Sequence, residues 1–245
     1  MGYDGVICTD WGVTSMTAWG LESATVAERY RKAIDAGVDQ FGMGMEPEIV
    51  IELVNSGEIT EERIDESVRR LLRGKFHLGL FENPFVDPQH AAEFVGNAEF
   101  QAVADLAQRK SIVLLKNAEI DGANILPLAP ETKIYIENID PAVAAEYGEV
   151  VETLDEAHVA ILRVNAPFET GPGFFGNIHM GNLRFYGEEL AHMKSVMAAK
   201  PTIIAVYLDR PAVLTNIEAE AAALLGTFGV SDAALLDVLF GEFAP

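Results

Sequence analysis

The chain has one cysteine, Cys8, among 245 residues. It can form no internal disulfide and carries no CxxC metal site. Basic residues are scarce: 17 Lys and Arg stand against 38 Asp and Glu, a formal charge of −21. Phosphate recognition needs a basic stripe, so nucleic acid is excluded as a partner, and an anionic membrane surface with it. No run of 18 uninterrupted apolar residues occurs, so no membrane span is expected. No basic-then-apolar signal segment follows Met1, and the compartment is left open. Low-complexity tracts are absent, and so are GxxxxGK[ST], HExxH, GxSxG and N-x-[ST] patterns. His77, His90, His158, His179 and His192 are scattered and read as structural. No metal site and no cofactor is expected.

What is present is apolar mass in an alternating order. Hydrophobic residues make up 49% of the chain, enough for one large core or two modest ones. Short apolar runs alternate with helical periods, the signature of βα units and parallel sheet. The pattern predicts a strand over 5–9, with Cys8 inside it as a small hydrophobe, and a helix over Ala24–Ala36 closed by Gly37. A strand over Val38–Met43 and a helix over Glu46–Ser56, stopped by Gly57, follow. Thr60 caps a longer helix whose Ile64, Val68, Leu71, Leu72 and Phe76 keep helical spacing. Arg69, Arg70, Arg73 and Lys75 near its end read as a solvated face that suits the helix dipole.

"LFENPFVDPQ", residues 80–89, has two prolines and no period and reads as a linker. Beyond it the pattern predicts a helix over Ala98–Arg109, strands near 111–115, 133–138, 159–165, 202–208 and 223–228, and helices near 141–147, 187–199 and 231–240. A closed (β/α)8 barrel needs eight βα units, and the first block supplies two. That block is either the tail of a barrel or part of one continuous open sheet.

Two acids stand where chemistry is done. Asp10, in "GVICTDWGV", follows the first strand, and parallel α/β architectures gather catalytic groups at strand C-termini. Its competing reading is a loop aspartate that caps backbone N–H groups. Trp11 beside it is either a platform for a sugar ring or core. Glu169 stands near the start of the longest loop, residues 165–185, flanked by Pro167 and Phe168. Partly apolar surroundings favour a neutral carboxyl, as a general acid requires, and a solvent-facing glutamate is the alternative. In the same loop Gly171-Pro172-Gly173-Phe174-Phe175-Gly176 matches GxGxxG, yet no helix follows it, so a dinucleotide site is not expected.

In order and spacing, these segments resemble glycoside hydrolase family 3. "GYDGVICTDWG" resembles the stretch carrying that family's nucleophilic aspartate at the end of the seventh barrel strand. "AIDAGVDQFGMGMEPEIVIELVNSGEITEERIDESVRRLLRGKFHLGLFENPFVD" resembles the close of the barrel and the linker beyond. "AQRKSIVLLKN", "ILPL", "YLDRPAVL" and "SDAALLDVLFGEFAP" resemble its second domain. The resemblance implies an α/β fold: the last two βα units of a (β/α)8 barrel over 1–80, a linker and connecting helix over 81–110, and an αβα sandwich with a mostly parallel sheet over 111–245. It implies a retaining, exo-acting β-glycosidase, most often a β-glucosidase, with Asp10 as nucleophile, Glu169 as acid/base and Trp11 lining the sugar site. A β-linked oligosaccharide or glucoside is the implied substrate. The barrel units upstream of Gly5 are missing, and family members continue beyond "GEFAP", so the chain resembles a fragment. A complementing N-terminal barrel segment or a homo-oligomer is therefore the expected partner, and a non-catalytic or sugar-binding module is the alternative function.

Overall fold

The structure, a computed structural model, describes residues 2–15, 20–173 and 176–244. It divides into two compact units, residues 1–92 and 93–245.

In the first unit, β1 (Cys8–Trp11) pairs in parallel with β2 (Gln40–Gly42). These two strands form a sheet of their own, separate from the sheet of the second unit, which rules out one continuous open sheet. Between them runs α1 (Val26–Asp35), started by a capping box in which Thr25 and Glu28 satisfy each other's backbone N–H groups. Gly37, at φ 103°, ends that helix in a conformation that favours glycine. After β2 come α2 (Pro47–Asn55) and α3 (Glu61–His77), the latter capped by Thr60. Tyr30, Ile34, Leu53 and Ile59 form the small core these helices share.

The strand over 5–9 is displaced: β1 begins at Cys8 and takes in Asp10 and Trp11. Pairing with β2 decides this, because the register slips between Cys8 and Trp11 and draws the polar residues into the ladder. Cys8 is exposed, a correction to the buried position expected of it. β1 has one hydrogen-bonded neighbour among the described residues, so half its surroundings are open.

The basic cluster of α3 is also more than a solvated face. Arg70 pairs at 2.9 Å with Asp39, whose side chain has no exposed surface. Asp39 also accepts from the Ile7 N–H at 2.9 Å and from the Ser67 hydroxyl at 2.7 Å. Arg63 donates to Ser67 Oγ and to the carbonyls of Ile34 and Val38. Burial opposes ionisation of Asp39, but those hydrogen bonds and the Arg70 charge outweigh it and hold the carboxyl below its ordinary value.

The linker stretch leads into a short helix, α4 (Pro88–Phe94), and then α5 (Ala98–Ser111). The second unit is built on a six-stranded sheet. Its strands are β3 (Val113–Asn117), β6 (Lys133–Glu137), β7 (Glu149–Val150), β8 (Val159–Asn165), β11 (Thr202–Tyr207) and β12 (Ala223–Thr227). They lie in the order β3-β12-β11-β8-β6-β7, all parallel except β3, which runs against β12. Two short hairpins stand outside the sheet: β4 (Glu119–Ile120) with β5 (Ala123–Asn124), and β9 (Glu169–Thr170) with β10 (His179–Met180).

Alternate residues of the central strands face opposite cores, as a period of two demands. Ile134, Ile161, Ile203 and Leu225 meet α6 (Pro141–Ala144) and α9 (Asp232–Leu239) on one face. Ala160, Leu162, Ile204 and Leu224 meet α7 (Gly187–Ala199) and α8 (Thr215–Glu218) on the other. Helices on both faces explain why the strands read as continuous apolar runs. This is an αβα sandwich with a mostly parallel sheet.

Candidate active site

Asp10 and Trp11 lie at the C-terminal end of β1. The Asp10 carboxylate accepts the Trp11 N–H at 2.7 Å, and the Gly42 N–H donates to Thr9 Oγ1 at 3.0 Å. Gly42 has no room for a side chain: a Cβ there would lie 2.7 Å from Trp11 Cδ1 and 3.0 Å from the Asp10 carbonyl oxygen. Glycine thus lets β2 approach closely enough to hold the end of β1 in place. Asp10 is exposed, and the Trp11 side chain stands out from the unit with 69% of the residue exposed. An open indole next to an open carboxylate offers an apolar face and an acceptor to the same ligand.

Glu169 opens β9, so the segment expected to be a structureless loop carries a hairpin. Two residues of the GxGxxG stretch, Phe174 and Phe175, lie outside the described residues. The Glu169 carboxylate accepts from the Asn182 N–H and the Tyr186 hydroxyl, both at 3.4 Å. It is exposed and rests over Gly181, where a Cβ would collide with its carboxyl group. Gly181 is held at φ 77°, which an L side chain rarely adopts.

The segment after β11 holds this hairpin. Arg210 donates to the carbonyl of Met180, and to that of Gly181 at 3.1 Å. Asp209 pairs with His179 Nδ1 at 2.5 Å, and the His179 ring stacks on Phe168 at 3.7 Å. In the sequence "YLDRPAVL" stands out only as a resemblance, His179 reads as structural, and nothing marks Asp209, Arg210, Gly181 or Tyr186. The available signal was an acid-base pair directly after a confident strand, where ligand-facing groups gather.

Gly181→Ala is expected to displace the Glu169 carboxylate and strain the φ 77° backbone. The local cost is about 1 kcal/mol or more. Any activity that depends on Glu169 should fall by at least about tenfold, since a misplacement of about 1 Å can cost 10²-fold. Thermal unfolding and turnover measured together check this; equal losses in both would show a merely structural glycine.

Among the described residues no group of three or more His, Cys, Asp or Glu side chains could hold a metal ion. No described helix is long and apolar enough to cross a membrane.

Fold and site together define an α/β protein that presents carboxylates at strand ends. Over residues 1–74 the chain matches the model of the glycosyl hydrolase family 3 N terminal domain. It is 42% identical, over its full length, to beta-glucosidase C of Emericella nidulans, of which it covers 41%. It is 38% identical to a periplasmic beta-glucosidase/beta-xylosidase of Dickeya chrysanthemi, over 99% of this chain and 40% of that protein. Among solved structures, the β-glucosidase of Listeria innocua in complex with isofagomine aligns with 98% of the chain and 39% of its own, at a TM-score of 0.81 and 24% identity. An exo-1,3/1,4-β-glucanase of a Pseudoalteromonas species aligns with 97% and 45%, at a TM-score of 0.76 and 24% identity. The chain belongs to glycoside hydrolase family 3, and it spans about 40% of the length of the curated relatives it matches.

Proposed function

We propose that this chain forms part of a retaining, exo-acting β-glucosidase. Its 42% identity, along its whole length, to a protein named as a β-glucosidase carries the reading. The substrate is a glucoside or a β-linked oligosaccharide with a free non-reducing end.

Asp10 attacks the anomeric carbon and forms the glycosyl-enzyme intermediate, while Glu169 gives its proton to the departing oxygen. Glu169 then takes a proton from the water that attacks the intermediate, which releases the sugar and restores both acids. Such a pair works with carboxyl groups about 5–5.5 Å apart. The open position of each acid at its own strand or hairpin supports these roles, because both reach a ligand without displacing core. Trp11 supplies an apolar face for the sugar. The pairing edge left on β1 is completed by an N-terminal barrel segment or by a second copy of the chain.

Turnover of 4-nitrophenyl β-D-glucoside, measured together with mass under native conditions, tests the reading. A folded chain that releases no nitrophenol at any assembly state would favour the non-catalytic, sugar-binding alternative. Glu169→Gln is expected to lower kcat/KM by about 10²- to 10⁴-fold on an alkyl β-glucoside, the range of general acid catalysis. On the nitrophenyl substrate the loss should be much smaller, because that leaving group departs with little help from a proton. Equal losses on both substrates would remove Glu169 from the acid role.

A further inference from the structure

The parallel part of the second sheet reverses direction once. From β6 the chain goes outward to β7, then returns across β6 to β8 and continues through β11 to β12. The reversal lies between β6 and β8, and open α/β sheets bind ligands in the crevice at the carboxyl ends of the strands at such a switch point.

A pocket of about 420 Å³ opens there, lined by Asn138, Arg163, Val164, Asn165, Glu189 and Tyr207. Its size falls within the range of small-molecule sites, about 300–1,000 Å³. Asn138 directly follows β6, Asn165 ends β8, Tyr207 ends β11, and Glu189 lies in the first turn of α7. Neither Asp10 nor Glu169 is among its walls, so this inference stands apart from the roles given to them.

The lining decides what can enter. Arg163 is committed: it pairs with Asp232 and donates to the Val230 carbonyl. Asn138 stands at φ 58° and donates to the Arg163 carbonyl at 2.8 Å, which fixes the rim. No described residue hydrogen-bonds to the side chains of Asn165, Glu189 or Tyr207. They present an amide, a carboxyl and a phenol, donors and acceptors together, with no uncommitted positive charge. Glu189 at the first turn of α7 opposes a phosphate, the group that such helix ends otherwise favour. Its carboxyl still meets solvent, yet desolvation pushes it above the ordinary glutamate value.

We infer that the switch-point pocket between β6 and β8 is a binding site for a neutral, polyhydroxylated ligand of one or two sugar rings, held by Asn165, Glu189 and Tyr207.

Amide chemical shifts of the full chain, titrated with methyl β-D-glucoside, cellobiose and inorganic phosphate, test this. The expected result is saturable perturbation by a glycoside at Asn138, Asn165, Glu189 and Tyr207, with none from phosphate. Asn165→Ala and Glu189→Gln alter exposed side chains, and each should weaken that binding about fivefold to tenfold, as the loss of a hydrogen bond does. Asp10→Asn should leave it unchanged, which separates this pocket from the reaction. Glycoside shifts confined to other residues, unaltered binding in both pocket variants, or preference for phosphate would each overturn the assignment.

Discussion

Asp10→Asn is expected to abolish the proposed glycosidase turnover, by roughly 10³-fold or more, because it removes the proposed nucleophile and little else. The amide oxygen of Asn can still accept the Trp11 N–H that Asp10 Oδ1 accepts at 2.7 Å. The end of β1 therefore keeps its local geometry, held from the other side by the close approach of Gly42. What disappears is the negative charge that, in the proposed mechanism, attacks the anomeric carbon. KM should change little while kcat collapses, and thermal unfolding should stay close to that of the parent. Retained kcat in the variant would show that Asp10 is the backbone-capping aspartate which its position also allows.

Asp39→Ala is expected to destabilise the first unit by about 2 kcal/mol or more, as the loss of a buried acceptor shared by several donors does. The Asp39 side chain has no exposed surface and accepts from the Ile7 N–H, Ser67 Oγ and Arg70. Its removal leaves the Ile7 N–H and the Ser67 hydroxyl without that acceptor and Arg70, about a third exposed, without its counter-charge. Urea unfolding, or hydrogen exchange resolved over residues 2–92, measures the loss.

The same carboxylate sets an acid limit. Its folded value is depressed, because hydrogen bonds from Ile7 and Ser67 and the charge of Arg70 overcome the burial that opposes ionisation. The stabilisation is therefore fully present above the ordinary aspartate range and is lost as pH falls through the lowered folded value. Asp39→Asn should flatten that part of the stability curve. An unaltered acid limb would place the acid sensitivity elsewhere. Ile7 lies three residues before Asp10, so loosening this network should also loosen the strand that carries the proposed nucleophile.

Most elements were legible because their signals are local. Thr60 caps α3 through a side chain that accepts from the Arg63 N–H three residues on, and Ser231 does the same for α9 toward the Ala234 N–H. The apolar stretch that begins at Val159 is too short for a helix and reads as a strand over 159–165, and β8 has those bounds. Short pieces were lost for the opposite reason. The two-residue strands of the Glu169 hairpin have no periodicity to read, and they exist because the segment after β11 grips them. The candidate site was half visible: Asp10, Trp11 and Glu169 stood out by position and type, whereas the residues that hold them did not.

By itself the sequence determined the alternation of strands and helices, the start of α3 at Thr60 and the acids at strand ends. Each is written in the spacing of neighbours, and spacing survives without a folded chain. The tertiary structure alone decided the partnerships. Asp39 reaches Ile7 across 32 residues, and His179 meets Asp209 across 30. Asn138, Asn165 and Tyr207 converge because β6, β8 and β11 lie side by side in the sheet. Strand order and register place such groups together, and both are settled by the burial of two apolar faces at once, which no local pattern encodes.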